Sequence, residues 1–159
     1  MRTLVLLLVL FSGKMQAQNL TIFDSFDQLE KRLNPESDTV FVVNFWATWC
    51  KPCVEELPFF TKLDSAFQQR PVKLILVSLD FKKMAETKVA PFLKNRQITA
   101  ETILLADPDA NAWIGKVDPK WDGAIPATLV LKKGKREFHR VQFEKYEQLS
   151  SIVESFVQN

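Results

Sequence analysis

Cys50 and Cys53 are the only thiols in the 159-residue chain, and just Lys51 and Pro52 stand between them. A disulfide stabilises a fold mainly by closing a loop in the unfolded chain. A loop this short yields less than the ~3 kcal/mol of a 15-residue one, so the pair is no ordinary staple. Two sulfurs at this spacing are suited to thiol-disulfide exchange, in which one attacks a foreign disulfide and the other resolves the mixed disulfide. The flanking pattern assigns the roles. Residues 39–46 form a β-branched and aromatic run with almost no polar break, whereas from Pro52 to about Gln69 the apolar residues recur at helical spacing. Cys50 therefore falls where a buried strand ends and a helix begins, and the unpaired N–H groups and dipole of that terminus favour its thiolate. Lys51 adds a cation beside it. Pro52 fits the first helical turn, where its missing N–H has no partner to lose. Cys53, one turn further in and less exposed, is the resolving sulfur.

These residues need a scaffold, and the rest of the chain supplies its elements. Phe26, Leu29 and Leu33 predict a short helix capped by Ser25 and ending before Pro35. The run at 39–46 reads as a strand covered on both faces, and Pro58 should bend the helix that follows. A second strand is expected at 72–79 and a helix around 89–93. The strand-helix-strand-helix order builds a parallel half with right-handed crossovers. A short strand at 103–105 and a helical piece at 112–117 come next. Strands at 127–131 and 138–143, joined by the Lys132-Lys133-Gly134-Lys135 turn, form an antiparallel pair, and a helix from Tyr146 to Phe156 closes the chain. The fold class is therefore α/β: a mixed sheet with a parallel βαβ half and an antiparallel ββα half, and helices on both faces. No repeat or second-domain boundary is visible.

Composition bounds the function. With 47% hydrophobic and 25% charged residues, 13 Phe and 4 Trp, the chain can bury one core. Lys and Arg total 21 against 19 Asp and Glu, too close to balance for a nucleic-acid binder. Arg2, the apolar run 4–11 and the small or polar residues up to Ala17 read as a secretory signal at 1–17, ahead of one domain at 18–159. The alternative is an uncleaved membrane tether, against which the run is short of the roughly 20 residues that cross a bilayer. The expected location is the periplasm or another extracytoplasmic compartment.

Asn44-Phe45-Trp46-Ala47-Thr48-Trp49-Cys50-Lys51-Pro52-Cys53-Val54-Glu55-Glu56-Leu57-Pro58 resembles the active-site segment of the thioredoxin superfamily, and more closely of exported TlpA/ResA-like thiol-disulfide oxidoreductases. Gly123-Ala124-Ile125-Pro126-Ala127-Thr128 is similar to that group's cis-proline loop. The resemblance implies a three-layer thioredoxin-like fold. Cytosolic thioredoxins carry a buried Asp where this chain has Asn44, which cannot titrate. The TlpA/ResA-like pattern moves the proton task to Glu56, three residues after Cys53 and on the same helix face. Without the resemblance Glu56 reads as a solvated carboxylate; Glu55 should point away. Pro126, which alone reads as a turn or edge proline, is implied to follow a cis bond. That bond would aim the backbone of Ile125 at Cys50 and let it pair with an extended substrate segment, in the manner of strand addition.

Trp49, Lys51, Pro52, Trp121, Ile125 and Pro126 are thus the expected substrate-facing residues. Trp113 and Trp46 read as packing. His139 reads as a solvated edge residue, and the Lys132, Lys133, Lys135, Arg136 cluster as a solvated hairpin tip. No metal is expected, since two Cys and one distant His fall short of four ligands, and no organic cofactor, since the dithiol itself carries two electrons. The implied activity is reduction of protein disulfides outside the cytoplasm, in cytochrome c maturation or disulfide repair, by a monomer that takes electrons from a membrane thiol donor. The alternatives are an oxidase or isomerase of the same fold, a peroxide-reducing thiol enzyme, or a non-catalytic scaffold whose C-x-x-C only orders a helix. The peroxide enzyme is disfavoured because the Thr-Trp-Cys segment leads into C-x-x-C.

Overall fold

The computed structural model describes residues 19–34 and 36–158; the signal expected at 1–17 and the helix-ending Pro35 lie outside the described residues. In chain order the elements are β1 (Leu20–Phe23), α1 (Phe26–Leu33), β2 (Val40–Trp46), α2 (Lys51–Ala66), β3 (Val72–Ser78), α3 (Ala90–Asn95), β4 (Glu101–Leu105), α4 (Ala110–Val117), β5 (Ala127–Lys132), β6 (Lys135–His139) and α5 (Tyr146–Val157). The strands form one sheet in the order β1-β4-β3-β2-β5-β6. β1 to β4 pair in parallel with one another, while β5 runs antiparallel to both β2 and β6. This is the expected parallel half joined to an antiparallel half.

Every residue of β2 is buried, because helices cover both of its faces. Alternation sends Val40, Val42 and Trp46 into one core with Leu57, Phe60 and Leu63 of α2 and Leu149, Val153 and Phe156 of α5. Phe41, Val43 and Phe45 enter the other core with Phe26 and Leu29 of α1 and Trp113 and Val117 of α4. Asn44 shares the first face and is the one polar residue in the strand. The Lys133-Gly134 turn joining β5 to β6 has positive φ at both residues, 47° and 79°, as a two-residue hairpin matched to the strand twist requires.

Four expectations are corrected. β1 was absent from them: its four residues are partly exposed and give no long apolar run, and it is held by pairing from Leu20↔Thr102 to Phe23↔Leu105. β6 stops at His139 rather than Phe143, after which the chain leaves the sheet and Phe143 packs edge-on against Phe60. The helix expected near 89–93 is the end of a longer stretch, with a 3-10 turn at Lys82–Met84 and a π-helical turn at Ala85–Val89 leading into α3. The hairpin-tip cations are engaged rather than merely solvated. Lys132 donates to the Phe156 carbonyl, Lys133 pairs with Asp38, Lys135 lies over the Phe156 ring and Arg136 donates to the Val117 carbonyl.

Candidate active site

Parallel pairing of β2 and β3 continues past the strand ends and fixes the turn ahead of the cysteines. The Leu79 N–H donates to the Trp46 carbonyl at 2.8 Å. Beyond it the buried Asp80 carboxylate accepts from the Thr48 N–H (2.9 Å), the Thr48 hydroxyl (2.6 Å) and the Ser78 hydroxyl (2.8 Å). Sequence reasoning missed Asp80, since a single Asp after an apolar strand carries no motif. Its role depends on β3 lying beside β2.

Cys50 is the N-cap of α2, with extended backbone (φ −87°, ψ 99°), and its Sγ accepts from the Cys53 N–H at 3.4 Å. The two cysteines are bonded to each other, their Cα atoms 5.3 Å apart. Cys50 keeps 6% of its surface exposed and Cys53 none, the asymmetry that an attacking and a resolving sulfur require. Beside them Trp49 is 64% exposed, while Pro52 in the first turn of α2 is half-buried. The Lys51 ammonium stands 3.8 Å from Glu55 on the solvent side, so Glu55 does point away from the sulfurs. The loop before β5 closes the opposite side. Its Ile125–Pro126 bond is cis, and the Ile125 carbonyl oxygen lies 3.8 Å from Cys50 Sγ.

Glu56 is fully buried, so it is not a solvated helix carboxylate. One oxygen accepts from the Asn44 amide at 2.9 Å, and the other from the Phe143 backbone N–H at 2.9 Å. Burial raises its pKa from 4.5 to about 7, and the two hydrogen bonds oppose that rise without cancelling it. A carboxyl one turn beyond Cys53 that gains and loses a proton near neutrality can serve as the local proton acceptor. The Asn44 amide also donates to Thr128 Oγ1 at 3.1 Å, so β2, α2 and β5 meet in one polar cluster inside the core.

Trp121 is removed from the expected rim. Its ring is 5% exposed and packs on Phe45, Trp113 and Phe138, while its Nε1 donates to the Ala124 carbonyl at 2.8 Å. It braces the cis-proline loop from behind. Gly123 in that loop has φ +86°, a backbone conformation that strains other residues, and a Cβ there would also have to displace Ile114 Cδ1 at 2.8 Å, so glycine is favoured. Trp113 packs as expected, stacked on Phe26 and Phe45. His139 is corrected: its side chain is 19% exposed and its ring lies against Phe143, 5.8 Å between centroids. Among the described residues no cluster of three or more His, Cys, Asp or Glu is placed to hold a metal ion.

Known proteins resemble the chain in sequence and in fold. The chain is 36% identical over 59 residues to the thiol-disulfide oxidoreductase ResA of Oceanobacillus iheyensis, a match covering 37% of this chain and 31% of that protein. It thus spans about a third of the length of that curated relative. Across the fold it is similar to StoA from Bacillus subtilis, with 26% identity and a TM-score of 0.59 over 75% of this chain and 85% of that one. A thioredoxin domain of a thiol-disulfide oxidoreductase from Bacteroides vulgatus superposes with a TM-score of 0.62 at 21% identity, covering 79% and 84% of the two chains. The fold is thioredoxin-like. The profile of the AhpC/TSA family matches residues 15–136, and the chain belongs to that family.

Proposed function

We propose that the protein is a thiol-disulfide oxidoreductase that reduces disulfides of other proteins. The observation that carries this is the Cys50–Cys53 pair at the mouth of α2, with the buried Glu56 carboxyl one turn behind it. In the reduced protein the α2 terminus stabilises the Cys50 thiolate, which attacks one sulfur of the substrate disulfide. That bond breaks, a Cys50–substrate disulfide forms, and the departing thiolate takes a proton from water. Cys53 then gives its proton to the Glu56 carboxylate and attacks Cys50 Sγ. The second substrate thiolate leaves, and Cys50 and Cys53 end bonded to each other. Two electrons have passed to the substrate, and a thiol donor must return them before the next turnover.

Trp49, Lys51 and Pro52 form one wall of the substrate track, and Ile125 and Pro126 the other. The Ile125 carbonyl, 3.8 Å from Cys50 Sγ, is positioned to receive an N–H from an extended substrate segment. The chemistry calls for no metal or organic cofactor. The N-terminal pattern supports export with removal of residues 1–17 and action outside the cytoplasm; a membrane thiol carrier as electron donor follows from the resemblance to exported TlpA/ResA-like proteins, and the protein is taken to act as a monomer.

The test is reduction of insulin by the dithiothreitol-supplied protein. Cys50→Ala and Cys53→Ala should each lose at least 100-fold in rate, and Cys53→Ala should accumulate a Cys50–substrate adduct visible by mass spectrometry. A wild type that leaves insulin intact, or whose cysteine pair resists reduction, assigns the pair a scaffold role. A measured reduction potential near the reducing end of the superfamily range, about −270 mV, supports the direction; one near −120 mV supports an oxidase.

A further inference from the structure

We infer that Asn44 is a reversible hydrogen-bond partner that follows the proton of Glu56: its amide gives an N–H to the carboxylate and turns over to offer its oxygen to the carboxylic acid. The observation behind this is an imbalance in the buried cluster. Asn44 Nδ2 spends both of its hydrogens, one on Glu56 Oε1 at 2.9 Å and one on Thr128 Oγ1 at 3.1 Å. Asn44 Oδ1, equally buried, has no donor among the described residues. This orientation suits an ionised Glu56 and leaves a buried carbonyl oxygen unmatched.

Protonation reverses the requirement. A Glu56 O–H facing the Asn44 NH2 sets donor against donor. Half a turn about the Asn44 Cβ–Cγ bond removes that clash, because Oδ1 then accepts from Glu56 and from the Thr128 hydroxyl, which is able to donate as well as accept; the NH2 takes the position where Oδ1 had no partner, so the amide is incompletely matched in both forms. The Phe143 N–H stays on Glu56 Oε2 in both forms, holding that side fixed while the other changes. No covalent bond changes. The proton enters and leaves at Glu56, and Asn44 only adapts, so Asn44 and Thr128 are positioning residues.

Few other titratable groups bear on Glu56. On α2 itself Cys53 lies one turn earlier, while Glu55 and Lys51 pair with each other at the surface. β2 and β5 present only the neutral Asn44 and Thr128. From the β6 side His139 lies against the Phe143 ring, and its Nε2 stands 3.0 Å from the Glu137 carboxylate. The proton balance at Glu56 is therefore set by burial, by the Phe143 N–H and by the amide, and of these the amide is the one that can exchange a donor for an acceptor.

The inference builds on Glu56 as the proton acceptor proposed above, and its test reads the carboxyl and the amide directly, without a substrate. In the oxidised wild type, 13C and 15N NMR should show the Glu56 carboxyl and the Asn44 side-chain NH2 titrating with one shared midpoint. Asn44→Leu, which removes the charge-assisted donor, should raise the Glu56 midpoint by about one pH unit. Asn44 signals that stay constant while Glu56 titrates would overturn the turnover, as would a midpoint unmoved or lowered in Asn44→Leu. Should the variant not fold, the wild-type titration alone decides. A Glu56 carboxyl that does not titrate between pH 5 and 9 removes the proton acceptor and the inference together, whereas a normal shared titration in a protein without reductase activity fails only the proposed function.

Discussion

Two buried carboxylates flank the Cys50 turn, Asp80 on the β3 side and Glu56 on the β5 side, and the chain treats them differently. Asp80 accepts from two hydroxyls and a backbone N–H, and those three bonds join the ends of two neighbouring strands. Glu56 accepts from one side-chain amide and one backbone N–H, too few to offset its burial, and its pKa rises to about 7. Depth alone does not decide what an internal acid does. Asp80 ties two loops through its donors, whereas at Glu56 burial outweighs the donors present and makes a carboxyl that exchanges its proton near neutrality.

Breaking the Asp80 side should have the largest effect. Asp80→Ala strands the Thr48 N–H and the two hydroxyls, and should destabilise the protein by about 4 kcal/mol in urea unfolding, with slower thiol exchange because the Cys50 turn is freed. Glu56 sets a pH dependence instead. Its folded pKa of about 7 lies above the unfolded value of 4.5, so between these limits the unfolded chain releases a proton that the folded protein keeps. The Glu56 contribution to stability should fall as pH rises through that window, by about 3 kcal/mol, and be constant beyond it. Glu56→Gln should abolish this slope, and flatten the pH profile of exchange near neutrality, when unfolding and insulin reduction are followed from pH 4 to 9. A slope retained in the variant would place the titrating group elsewhere. Thr48→Val is the finest probe: it deletes one of the Asp80 bonds and should cost about 1 kcal/mol while leaving the pH dependence in place.

Sequence patterns reveal whatever is local. The buried strand β2, the helix start at the cysteines and the hairpin all follow from residue order, because burial on both faces, capping and turn geometry are decided within a few positions. The thiol roles of Cys50 and Cys53 follow from the same junction. Features created by chain segments meeting from afar were hidden. Trp121 looks alike whether it borders a cleft or packs beneath a loop, and only the course of 121–124 decides. Phe143 ends the stretch that reads as a strand yet leaves the sheet, since its N–H is claimed by Glu56 from another element. Asp80 gains its meaning from Thr48, 32 positions earlier.

The first secondary elements depend on partners made much later. β1 pairs with residues 102–105, and the Phe26 N–H that opens α1 donates to the Asp107 carboxylate, 81 positions downstream. During synthesis from the N-terminus these segments emerge first, and β1 has no strand to pair with until β4 has left the ribosome. The central strands can pair earlier, so the edge of the sheet that is translated first is among the last to close.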